Sequence, residues 1–136
     1  MDGVIWLENN PIGDLKAIFE DLRRMEIKPV FLTNNSTKTP AAYVEKLAGF
    51  GVIANEKDII TSSAMLANQL KKRYPQGGPV YIIGENGLIK SLSQSGFYHQ
   101  TENVLAVVGG LDRKINYEKL KVATNLLYQG ADFYFT

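Results

Sequence analysis

A carboxylate beside a glycine and a run of small hydrogen-bonding side chains are the two groups in this sequence that could do chemistry together. The first is Asp2-Gly3, at the head of Met1-Asp2-Gly3-Val4-Ile5-Trp6. The second is Thr33-Asn34-Asn35-Ser36, directly behind the apolar triplet Val30-Phe31-Leu32. Hydroxyls, amides and loop N–H groups that converge at the carboxyl end of a strand make a place for an anion. A carboxyl group at that place could give or take a proton. Taken alone, residues 33–36 read as a turn leading into a helix, because Thr39-Pro40 is a helix start with Pro at the first helical position. Asp2-Gly3 upstream moves the reading towards an anion site.

Both groups need elements to hold them. Val30-Phe31-Leu32 predicts a buried, interior parallel strand. Ahead of it, Leu15, Ile18, Phe19, Leu22 and Met25 recur at helical spacing behind Asp14, a residue suited to cap a helix. Tyr43, Val44 and Leu47 mark a second helix, and Ile59-Ile60-Thr61 a short strand. Met65, Leu66 and Leu70 mark a third helix, with Ser62 or Ser63 as its expected cap. Pro75-Gln76-Gly77-Gly78-Pro79 is the strongest break in the chain and sets an expected boundary between domains at 1–76 and 77–136. Beyond it come a strand at 80–83, a short helix around Leu88 and Leu92, and a strand at 104–108. A helix capped by Asn116 and a last strand through Phe133-Tyr134-Phe135 follow. Alternating strands and helices predict an α/β fold with mainly parallel sheets.

Composition narrows the functional classes. Fifteen basic side chains against 14 acidic ones leave a net charge of +1, with no long run of either sign, so nothing electrostatic points to nucleic acid or an anionic membrane. Cysteine is absent, which removes disulfides, thiolate metal sites and cysteine nucleophiles and fits a cytoplasmic protein. No apolar run approaches the length of a membrane span.

Met-Asp-Gly-Val-Ile-Trp followed, one helix later, by Leu-Thr-Asn-Asn-Ser closely resembles the haloacid dehalogenase superfamily, in its NagD-like or para-nitrophenyl-phosphatase branch. The resemblance extends through Ile59-Ile60-Thr61-Ser62-Ser63, Val80-Tyr81-Ile82-Ile83-Gly84-Glu85-Asn86-Gly87-Leu88 and Val108-Gly109-Gly110-Leu111-Asp112-Arg113. It implies a Rossmann-like core with a parallel sheet, of which this chain carries the first part, plus part of an inserted α/β cap. It also implies a Mg2+-dependent phosphatase of small-molecule phosphomonoesters that works through a phospho-aspartate. In the family's Asp-x-Asp-Gly motif the first Asp attacks phosphorus, and the second is the general acid/base. Asp2 matches the second, and its backbone carbonyl matches a metal ligand. Thr33 and Asn34 match the donors to the phosphoryl group, and Gly3 matches the close passage of backbone beside it. The position of the attacking Asp falls before Met1, and the family's later Lys and acidic pair would follow Thr136. The chain therefore resembles a truncated member, expected to be inactive by itself. A non-catalytic phosphate- or nucleotide-binding α/β protein is the alternative. The expected partner is a small phosphate ester, with no nucleic acid and no membrane, and a homo-oligomer stays open.

Other residues read more plainly. Ser36 is expected to cap, Trp6 to anchor a loop, and Asp112 and Arg113 to form a structural ion pair or a solvated loop. Gly84-Glu85-Asn86-Gly87 lacks the spacing of a dinucleotide loop and is expected to be a turn. His99, the only histidine, has no metal-ligand company and is expected at the surface.

Overall fold

The computed structural model describes every residue from Met1 to Thr136. The chain folds as two compact units, Met1–Thr33 with Pro40–Ile60, and Asn34–Thr39 with Thr61–Thr136.

In the first unit, strands β1 (Trp6–Leu7) and β2 (Asn10–Pro11) form an antiparallel pair. Helix α1 (Leu15–Arg24) starts as its sequence predicts, with the Asp14 carboxylate accepting the Ala17 N–H at 3.0 Å. Strand β3 (Phe31–Thr33), helix α2 (Pro40–Gly49) and strand β4 (Ile59–Thr61) follow, β4 being preceded by a single 3-10 turn at Glu56–Asp58. Trp6, Leu15, Phe31, Tyr43, Leu47, Val52 and Ile59 form the core. Trp6 is wholly internal to it: its ring stacks on Tyr43 at 6.2 Å, and the Lys46 ammonium lies 4.5 Å from its centroid.

The expected interior strand is corrected here. β3 pairs only with β4, in a two-stranded sheet. Phe31 is 5% exposed, but Val30 is 53% and Leu32 65% exposed. Side chains alternate across a strand, so Phe31 enters the core and its two neighbours point the other way, where no layer of this unit covers them.

The second unit is a four-stranded, wholly parallel sheet in the order β6-β5-β7-β8. These strands are β5 (Gly78–Ile83), β6 (Phe97–His99), β7 (Ala106–Gly109) and β8 (Asp132–Phe135). Helices α3 (Ser62–Arg73) and α4 (Asn86–Gln94) cover one face through Leu66, Leu70, Leu88 and Leu92 against Val80, Ile82 and Val108. Helix α5 (Tyr117–Tyr128) covers the other through Ala123 and Leu126 against Tyr81, Ile83 and Val107. The edge strand β8 leaves Phe133 and Phe135 largely exposed, their rings 6.3 Å apart.

The compact units do not divide at 76/77. The Pro/Gly cluster is the turn between α3 and β5, and α3 shares its core with β5, α4 and β7, so the packing divides next to Thr61 instead. Val80–Ile83 nevertheless lies in a different sheet from β3. Gly77 is required in its turn: it has φ +74°, and a Cβ there would lie 2.2 Å from the Gly96 carbonyl oxygen. The short strands β1, β2 and β6 were not legible in the sequence pattern.

Candidate phosphate site

Asp2, Gly3 and Thr33 are all in the first unit, and Tyr43 responds to both Thr33 and Asp2. Thr33 closes β3, so its hydroxyl stands at the strand's carboxyl end. It hydrogen-bonds the Tyr43 hydroxyl, and the Asp2 charge is felt at the same phenol. Burial pushes the Tyr43 pKa up; the Thr33 hydrogen bond opposes that rise, and Asp2 adds to it. The phenol therefore stays protonated. Tyr43 read in the sequence only as an apolar position of α2. Its place, four residues after Thr39 on the helix leaving the loop, was the available signal.

Asp2 forms a bridge with Trp6, and Gly3 takes a left-handed φ of +71° while its N–H donates to the Trp6 carbonyl at 2.7 Å. A side chain at Gly3 would be strained by that φ alone, since open space surrounds its position. The Met1 ammonium donates to the Leu32 carbonyl at 3.2 Å, which keeps this end of the chain beside β3.

Asn34 begins the segment that packs in the second unit. Its side chain is exposed, and its carbonyl accepts the Ser62 hydroxyl at 3.0 Å. Asn35 turns back locally, its Oδ1 accepting from the Thr37 N–H at 2.9 Å and the Thr37 hydroxyl at 2.7 Å. Ser36 does not cap α2. It is buried, its Oγ accepts the Leu111 N–H at 3.3 Å, and its carbonyl accepts the Ser63 hydroxyl at 3.0 Å. Ser62 and Ser63 likewise are not the cap of α3. Thr61 is, with its Oγ1 accepting the Ala64 N–H at 3.1 Å, which leaves both serine hydroxyls to hold residues 34 and 36.

The remaining candidates have structural partners. The Arg113 guanidinium holds both Glu85 oxygens, at 2.9 and 2.7 Å. Asp112 is buried against Lys119 at 2.5 Å and also accepts the Lys114 N–H; these contacts, the Lys119 hydrogen bond foremost, hold its carboxyl below the usual range. His99 is exposed, as expected, yet its Nδ1 accepts the Ile82 N–H at 3.0 Å. No three His, Asp or Glu side chains in the chain come together as a metal site. Mg2+ takes one or two carboxylates plus waters and phosphate oxygens. Asp2 offers one carboxylate and one backbone carbonyl towards such a set. No helix is long and apolar enough to cross a membrane.

A parallel α/β architecture with small donors at the end of a strand defines the class of fold. The family follows from the sequence: the profile of the haloacid dehalogenase-like hydrolases matches residues 1–98, and the chain belongs to that family. It is 34% identical over 134 residues to an acid sugar phosphatase of Staphylococcus aureus, a match covering 98% of this chain and 51% of that protein. Among solved structures, a 4-nitrophenylphosphatase from Thermotoga maritima superposes with a TM-score of 0.91 at 30% identity, covering 99% of this chain and 51% of its own. A double-mutant thermostable phosphatase of the same type, NPPase from Geobacillus stearothermophilus, gives 0.82 at 39% identity, covering 88% and 48%. The chain thus spans about half the length of these relatives.

Proposed function

We propose that the whole protein hydrolyses small phosphate monoesters, and that this chain contributes the phosphate-holding donors and the acid/base carboxyl. What supports this reading is Thr33 at the carboxyl end of β3, hydrogen-bonded to Tyr43, in the same unit as Asp2, whose charge is felt at that phenol. Thr33 and Asn34 would hold phosphate oxygens, whose charge is best neutralised by fixed donors that need no rearrangement. Asp2 would protonate the departing alkoxide and later take a proton from water. Gly3 would leave room for the ester. A magnesium ion, where the whole protein binds one, would neutralise phosphate oxygens. The names of the relatives, sugar and nitrophenyl phosphatases, support this substrate class without choosing within it. The same reading assigns residues 1–76 to a catalytic core and 77–136 to a cap, a functional division that does not coincide with the packing units, which part next to Thr61.

A binding role without turnover is the second reading for this chain taken alone, because small donors following β3 can hold an anion without a second carboxylate. Attack by one carboxylate and proton transfer by another are separate positions, and misplacing either costs about a hundredfold. Inorganic phosphate should therefore shift the Thr33 and Asn34 amides in an NMR titration of this chain. Thr33→Val should weaken that binding about tenfold, as expected for a lost hydrogen bond to a charged group. With para-nitrophenyl phosphate and magnesium, the chain alone should show no turnover above buffer. A rate that disappears with Asp2→Ala would mean that Asp2 itself attacks phosphorus.

A further inference from the structure

The parallel sheet of the second unit has a ligand-type crevice, and the chain's own loop fills it. α4 leaves β5 across one face of the sheet, and α5 leaves β7 across the other. The strand order therefore reverses between β5 and β7. Beyond their carboxyl ends, open α/β sheets bind their ligands. Here that position holds residues 34–39. The Gly87 N–H, in the first turn of α4, donates to the Thr37 carbonyl at 3.0 Å. The Leu111 N–H, just past β7, donates to Ser36 Oγ, and Ser63 reaches the Ser36 carbonyl from the start of α3. Two glycines make the approach this close. A Cβ at Gly87 would lie 2.5 Å from the carbonyl oxygens of both Ser36 and Lys38, and one at Gly110 would lie 2.9 Å from Ser36 Oγ. Carbonyl oxygens of the main chain cannot swing aside as a side-chain tip can.

We propose that the crevice at the carboxyl ends of β5 and β7 is a socket for this loop, and that Ser36, seated in it, is a positioning residue for the phosphate donor Asn34. Ser36 touches no substrate. It fixes the backbone two residues downstream of Asn34, with Ser62 holding the Asn34 carbonyl itself. The donors are thereby ordered before the anion arrives, and the cost of ordering them on binding falls. A socket filled in this way also has no room for a dinucleotide at the position where such sheets bind one.

The proposal rests on the phosphate reading above. The test is a phosphate titration of this chain followed at the Asn34 amide, with Ser36→Ala, Gly87→Ala and, as control, Gly49→Ala. A Cβ at Gly49 meets nothing within 4 Å, so the control should behave as wild type. Ser36→Ala and Gly87→Ala should each weaken phosphate binding about fivefold or more within the folded population, with the amides of Val80, Ile82 and Val108 unmoved. A merely structural role would lower the melting temperature and leave the binding constant of the folded protein unchanged, and that result overturns the proposal. So does rapid hydrogen exchange at Gly87 and Leu111 in the wild type. If the wild-type chain gives no phosphate shift at Asn34, the functional reading fails and the positioning role fails with it.

Discussion

At the scale of single residues, His99 shows how a side chain can finish a ladder that the backbone leaves open. β6 ends at His99, and the Ile82 N–H on the neighbouring strand finds its acceptor in Nδ1. Protonation would turn Nδ1 into a donor and break that bond. Partial desolvation of the ring, which lies 5.1 Å from that of Tyr81, depresses the histidine pKa, and the Lys119 charge depresses it further. A lowered folded value means that the unfolded chain takes up the proton first. Stability from this contact is fully present above the ordinary histidine pKa of about 6.5 and is lost as pH falls through the lower folded value. Wild type should therefore lose stability more steeply than His99→Asn as pH falls below about 6.5, since Asn offers an acceptor that does not titrate. Urea denaturation across that range measures the difference; identical slopes would remove the effect. The sequence placed His99 at the surface, and it is there. Its bond to Ile82 was not legible, because β6 is only three residues long and lacks a periodic pattern.

At the scale of elements, the helices followed their start signals and the strands were the harder part. Asp14 and Asn116 cap where their types and positions say they should. The start of α3 was displaced by one residue because Thr61, Ser62 and Ser63 are chemically alike, and only the tertiary partners of the two serines separate their roles. Thr61 is fully buried, so Thr61→Val keeps its volume and removes only the acceptor for the Ala64 N–H. The expected loss is about 1–2 kcal/mol, read from the shift in urea midpoint at unchanged slope. Ser62→Ala, whose hydroxyl is exposed and does not cap the helix, should cost less. The strand β3 was found one residue late and open on one side. An apolar triplet records that a segment is buried somewhere, not how many neighbours it has. Within the candidate site, Asp2, Gly3 and Thr33 were legible from residue types and resemblance. Tyr43 was not, because a tyrosine at a helical core position looks like any other core aromatic.

At the scale of the whole chain, two separate cores imply two cooperative events. Leu47 is fully buried in the core of the first unit and Leu92 in that of the second. Calorimetry should resolve two transitions, one lowered by Leu47→Ala and the other by Leu92→Ala, each substitution costing its own unit about 2–5 kcal/mol. A single transition that both substitutions lower equally would show that the chain unfolds as one body. The edge of the second sheet has a further consequence. An edge strand with two neighbouring, largely exposed phenyl rings is a template for another strand, and the one charge on β8, Asp132, is engaged with Arg73 of α3. Concentrated solutions of this chain should therefore grow larger species over time in light scattering. Phe133→Lys, a gatekeeping charge on that edge, should slow their growth while leaving the circular dichroism spectrum intact.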